Sequence, residues 1–112
     1  MAETKNSQMA CVSVVLCDDV FRDDVTGKSV LVGTFNTINA SSFPWVHPRL
    51  AVLATLTGGH GEHEVVVSIE HEATGNEIFK IGGPFAMPNP LDIADIDLRL
   101  ANVKFTDEGK YW

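Results

Sequence analysis

Apolar and polar residues exchange places at every second position through most of this chain, and that rhythm belongs to a pleated strand, whose successive side chains point to opposite faces. In Ala10–Leu16 the residues Val12, Val14 and Leu16 share a face, and Ser29–Phe35 is rich in the β-branched and aromatic residues a half-buried sheet favours. Between them, Arg22–Lys28 carries acids and Gly27, which marks a hairpin with its charged end in water. Glu64–Glu70 alternates with Val65, Val67 and Ile69 inward and Glu64, Val66, Ser68 and Glu70 outward. Ile93–Val103 repeats the pattern, with Ile96, Leu98 and Leu100 opposed to Asp95, Asp97 and Arg99. Arg49–Leu56 is instead almost continuously apolar, the mark of a central strand covered on both faces.

What interrupts the rhythm is equally informative. Asn36–His47 holds Asn36, Asn39, Ser41, Ser42 and Pro44, and is expected to cross from one sheet to the other. Thr57–Glu62 and Ala73–Asn76 are turns, and Glu77–Ile81 is a short strand between them and Gly82–Pro90. That last segment, with Gly82, Gly83, Pro84, Pro88 and Pro90, is confined to an edge or a crossover. No stretch offers helical spacing with capping signals. About seven short strands at regular intervals therefore predict an all-β, antiparallel two-sheet sandwich. Asp107, Gly109 and Tyr111 have the spacing of a tyrosine corner, whose hydroxyl bonds back to upstream backbone. A corner of this kind normally opens a strand, and only Trp112 follows it here. The last hairpin is thus expected to be incomplete, through truncation or because a partner finishes the sheet, with strand exchange, edge-to-edge dimerisation or poor stability as the consequence.

With 112 residues the chain holds one domain, read as 10–112 behind a polar tail at 1–9. Eight Lys and Arg against fifteen Asp and Glu give a net charge of −7, the wrong sign for neutralising phosphates. The basic residues are scattered, so neither nucleic acid nor an anionic membrane is an expected partner. No apolar run approaches the ~20 residues needed to span a bilayer, and Met9–Cys17 runs into Asp18 and Asp19 without a cleavage site. Cys11 and Cys17 on one extended strand would stand about 20 Å apart, too far to bridge. A reducing, cytoplasmic location is the simpler expectation.

Candidate sites are few. Phe43, Trp45 and His47 lie in a segment stiffened by Pro44 and Pro48, and large aromatic area at low entropic loss makes them the expected interaction surface; the competing reading is that Phe43 and Trp45 plug one end of the sandwich. His60-Gly-Glu-His63 could place two imidazoles on one metal ion, with Glu62 beside them and His47 or His71 as a third ligand, although a turn histidine beside glycines is more often simply solvated. Asp18, Asp19, Asp23 and Asp24 lack calcium-loop spacing and read as an acidic hairpin end. None of the serines sits in a nucleophile elbow, and Cys11 and Cys17, among apolar neighbours, read as inert packing thiols. No catalytic residue and no cofactor is expected.

Cys17-Asp-Asp-Val20, Gly27-Lys-x-x-Leu31-x-Gly33-x-Phe35-Asn36, Phe43-Pro-x-Val-His47-Pro-Arg-Leu50, Gly58-x-x-Gly-Glu-His63-Glu64 and Gly109-x-Tyr111 together resemble a family of small bacterial domains of unknown function. The resemblance covers residues 10–112 and implies an immunoglobulin-like sandwich that continues past the G-x-Y by about 20 residues of strand, the hairpin a sandwich needs. It implies no activity. Two functional expectations follow from the residues: a non-catalytic interaction or structural module, meeting a protein partner or a second copy through an exposed sheet edge, or a small metal-binding domain or metal-dependent enzyme using His60 and His63.

Overall fold

Val14, Val15, Leu16 and the flanking residues that favour a pleated surface extend into one long strand, β1 (Ala10–Arg22), which runs straight through the acidic pair Asp18-Asp19. The computed structural model describes residues 9–59, 61–87 and 93–112. After β1 come β2 (Ser29–Thr34), β3 (Trp45–Thr57), β4 (Gly61–Glu70), β5 (Glu77–Met87) and β6 (Ile93–Phe105), so six strands, not about seven, form among the described residues, and no helix. They make two antiparallel sheets: four strands in the order β2-β1-β3-β6, and the pair β4-β5.

Sequence and structure part company at four places. Asn36–His47 does not change sheets: β2 and β3 lie in the same one, on either side of β1, and Trp45, Val46 and His47 already belong to β3. Pro44 precedes the ladder, which opens at the Trp45–Phe105 pair, and Pro48 falls between the His47–Val103 and Arg49–Ala101 pairs. Secondly, β5 continues past Ile81 through Gly82, Gly83 and Pro84. Proline is tolerated on an edge strand when its missing N–H would face away from the partner, and Pro84 stands opposite Glu64 in that sense. Thirdly, a register shift between Cys11 and Ser13 makes Val12 the extra residue, so Val12 does not share the inward face with Val14 and Leu16. Lastly, β3 and β6 change faces together. Leu50 and Leu100 point into the core, and so do Trp45 and Phe105, an odd number of residues away; Asn102, in a left-handed conformation at φ 55°, stands in the changeover beside Pro48.

β3 is central and covered on both sides, as its apolar run requires. One face carries Leu50 and Val52, packed with Leu100, Val103 and Phe105 and backed by Ile69, Ile78, Phe79 and Tyr111 from the second sheet and the chain end. On the opposite face Ala51 and Leu53 pack with Cys17, Val20 and Leu31. Arg99, paired with Ala51, reaches from β6 across β3 to β1, where its Nε donates to the Val20 carbonyl (2.9 Å) and to Asp19 Oδ1 (3.1 Å), and its Nη2 also donates to that carbonyl. Small Ala51 leaves room for the aliphatic stem to pass. Gly33 is required for close approach: at φ 66°, a Cβ there would collide with the Asp18 carboxylate.

The radius of gyration is 16.1 Å, against about 13 Å for a compact chain of this length. The excess reflects a long, flat shape, 53 × 38 × 19 Å, set by the thirteen-residue strands β1, β3 and β6.

Candidate functional site

Two strands cannot cover four. β5 lies beside β6, and the β4-β5 pair ends over β3, so that no described residue forms a lid over the inner face of β1. The result is a trough of about 1480 Å³, floored by Val14, Leu16, Val52, Ala54 and Leu56 and walled on one side by Val65–Ile69 of β4. Val14 is 61% exposed there, although its sequence environment marks it as a core residue. The volume exceeds the roughly 300–1,000 Å³ of a small-molecule pocket. A smaller opening, about 390 Å³, lies where Val65 and Val67 face Ile96 and Leu98.

The wall has a polar side as well as an apolar one. Odd-numbered residues of β4 point inward and even-numbered ones outward, as the alternation predicts. In an antiparallel pair the same parity governs the backbone, so Glu62, Glu64, Val66, Ser68 and Glu70 turn their N–H and C=O groups away from β5, toward the open side. Glu70 shows it directly: its N–H donates to the Trp112 carbonyl (2.7 Å), and Trp112 N–H donates to the Glu70 carbonyl (3.0 Å). Glu72 N–H donates to the Lys110 carbonyl (2.8 Å), and His71 bridges Tyr111 in antiparallel sense. The segment Lys110–Trp112 therefore lies beside the continuation of β4 as the first rungs of a further ladder.

The chain end is pinned there by a cluster that the sequence announced only in part. Tyr111 donates its hydroxyl proton to the Asp107 carbonyl (2.6 Å) and accepts from Asp107 N–H (3.3 Å), the corner geometry the Asp107-Gly109-Tyr111 spacing predicts. Its ring packs edge-on against Phe105 (centroids 5.1 Å apart) and beside the buried His71 (4.9 Å). Both nitrogens of His71 are engaged: Nδ1 with Thr74 Oγ1 (2.9 Å) and Nε2 with the Glu108 carbonyl (3.0 Å). Because a carbonyl only accepts, Nε2 carries the proton. At Gly109, φ 127°, a Cβ would come within 3.0 Å of that nitrogen, so only glycine lets the chain lie so close.

The residues singled out from the sequence are distributed unevenly over this site. Phe43 and Trp45 line one end of the trough, where Trp45 also packs against the Leu50 cluster and Phe43 stays 40% exposed. His47 supports them from behind: its Nδ1 accepts from Trp45 Nε1 (3.3 Å), and its ring lies 6.0 Å from Phe35. His60 lies outside the described residues, as do residues 1–8 and 88–92. His63 lines the trough on β4. His71 cannot serve as the third ligand in this conformation, since neither ring nitrogen has a lone pair left to offer. Among the described residues no three His, Cys, Asp or Glu side chains converge on a metal position.

The acids of the first hairpin serve the fold. Asp23 accepts from Thr26 Oγ1 (2.6 Å), Thr26 N–H (3.3 Å) and Val25 N–H (3.4 Å), and these bonds, the Thr26 hydroxyl foremost, hold its carboxyl below the usual carboxylate range. The two cysteines are free and unlike each other. Cys17 is buried with its thiol raised by desolvation, an inert packing group as expected. Cys11 is exposed at the trough and does not fit that expectation.

Sequence reasoning missed the trough because alternation assigns each residue to a face, not to a lid. The available signal was the imbalance between strands on either side of the sandwich. No helix of the described residues is long and apolar enough to cross a membrane. No curated protein and no solved structure matches the chain. A family model described as a family of unknown function, DUF6941, matches residues 12–112, nearly the whole sequence, and the chain belongs to that family.

Proposed function

We propose that the chain is a non-catalytic bacterial, cytoplasmic module that holds an extended segment of a partner protein against the open edge of β4. The uncovered inner face of β1, beside a strand whose backbone groups point outward, carries this reading. An unpaired edge is a template for strand addition, and an alternating segment would satisfy the backbone of β4 with its amides while its apolar side chains fill the trough. Phe43 and Trp45 close one end and would act as anchors for it. Free Cys11 and Cys17 suit a reducing compartment. With such a strand in place the layers would hold four and three strands, the count of an immunoglobulin-like sandwich.

The test is amide hydrogen exchange with an eight-residue peptide of alternating valine and threonine. The amides of Glu62, Glu64, Val66 and Ser68 exchange quickly in the free protein and become protected when peptide is added, whereas Val65 and Val67, bonded to β5, are protected throughout. Unchanged exchange at saturating peptide would refute the reading.

A further inference from the structure

Cys17 belongs to the core, but Cys11 does not: its thiol is exposed at the trough, with a long bond to the Ser13 carbonyl (3.4 Å). Its surroundings give it chemistry. Met9 and Cys11 flank Ala10, which pairs with Thr57, so both side chains turn to the same face, inward with Leu56. This is the far end of β3 from Trp45. His63 turns inward across from it, on β4.

Gly59 shows how closely these pieces meet. Its φ lies outside the left-handed range, so its backbone would admit other residues, but the space around it would not. A Cβ there would stand 3.0 Å from Met9 Cβ, 3.1 Å from Met9 Cγ and 3.2 Å from His63 Nε2. The absent side chain lets a thioether stem at the head of β1 and an imidazole nitrogen of β4 approach one point.

A thioether, a thiol and an imidazole are thus gathered at one end of the trough. Zinc takes Cys, His and carboxylate donors, and calcium and magnesium take oxygen. Among the described residues no third His, Cys, Asp or Glu joins Cys11 and His63. The third donor is a thioether sulfur, and a set of this softness selects monovalent copper.

We propose that Met9, Cys11 and His63 form a three-coordinate site for Cu(I), with Met9 Sδ, Cys11 Sγ as thiolate and His63 Nε2 as the donors. Met9 turns about three side-chain bonds and Cys11 about one, so rotamer changes close the set around the ion without moving either sheet. The Cys11 proton passes to solvent as the copper–sulfur bond forms. One thiolate then balances one monovalent cation, and the neutral site suits the apolar lining that Leu56 provides.

The probe is Cu(I) itself, supplied to the full chain under argon in competition with a chromophoric chelator. The chain withdraws one equivalent, and X-ray absorption at the copper edge records two sulfur neighbours and one nitrogen. Cys11→Ser and His63→Ala each weaken binding at least about a hundredfold, and Met9→Leu about tenfold. Urea midpoints of Cys11→Ser and Met9→Leu stay within error, because the first residue is exposed and the second exchange nearly conserves volume. Should His63→Ala not fold, His63→Gln, which keeps bulk beside Gly59, takes its place.

Retention of all copper by the chelator would overturn the inference. So would full affinity in Met9→Leu or in the His63 variant, which would leave Cys11 a solitary thiol. Zinc held as tightly as copper would do the same, as would half an equivalent of copper per chain in a copper-bridged dimer. Loss of binding in His60→Ala with Met9→Leu and Cys11→Ser unaffected would also overturn it, by moving the ion to the His60–His63 turn.

Discussion

The inner face of β3 and β6 and the inner face of β1 carry the same kinds of apolar side chain, and only the first is dry. Leu50 is 1% exposed beneath Ile69, Phe79 and the Tyr111 corner, whereas Val14, on the next strand over, is 61% exposed. Both inner faces are apolar; the number of strands overhead differs. Burial here is decided by topology after the residues have chosen their faces, and apolar character states only which face would be covered if a cover exists.

The largest effect expected from this contrast is in stability. Leu50→Ala should cost about 2–5 kcal/mol, as deletions of fully buried leucine side chains do, while Val14→Ala should stay within about 0.5 kcal/mol, the range of surface substitutions. Urea denaturation of the two variants measures both; equal losses would mean that the trough is closed in solution. Next in size is Gly109→Ala, which forces a side chain toward His71 at a backbone angle that only glycine tolerates. About 1–3 kcal/mol is expected, together with faster exchange at Trp112 N–H, and retention of that protection would separate the ladder from the corner. The smallest effect belongs to the first hairpin, remote from both halves. Asp23 has a carboxyl lowered below its ordinary 3.8. Its contribution is therefore complete above that value and is lost as pH falls through the lower native one. Asp23→Ala should remove this part of the acid dependence in a comparison of melting temperatures from pH 5 to pH 2.5, and identical curves would show that the Thr26 bonds do not persist.

Much of the fold was legible. The faces of β4 and of β6 as far as Leu100, the central place of β3 and the geometry of Tyr111 followed from alternation and spacing, which are local properties. What escaped depends on irregularities one residue long. The bulge at Val12 and the shared change of face beside Asn102 each reverse an alternation without altering composition, so a strictly periodic reading carries the wrong parity past them. The path of Asn36–Pro44 escaped for a different reason: a loop's composition says that pairing stops, not where it resumes. Of the candidate surface, Phe43 and Trp45 were legible because large aromatics flanked by prolines are rarely idle. The trough beside them was not, because an unfilled volume belongs to a tertiary arrangement and leaves no mark on any single residue. His71 stood in the sequence as one histidine among four; its clamp on the chain end is set by Thr74 and Glu108, neither of which carries a pattern of its own.

Among the described residues no strand pairs with the margin of β4 from Gly61 to Ile69 on the side away from β5, and this bears on how the protein behaves at high concentration. Mutual repulsion between acidic molecules keeps such margins from finding one another, and it fades as the solution approaches the isoelectric point near 4.8. Below neutrality the same row of amides that would welcome a guest becomes a seed for ordered precipitation, so mild acidification should produce fibrous aggregates before it produces unfolding.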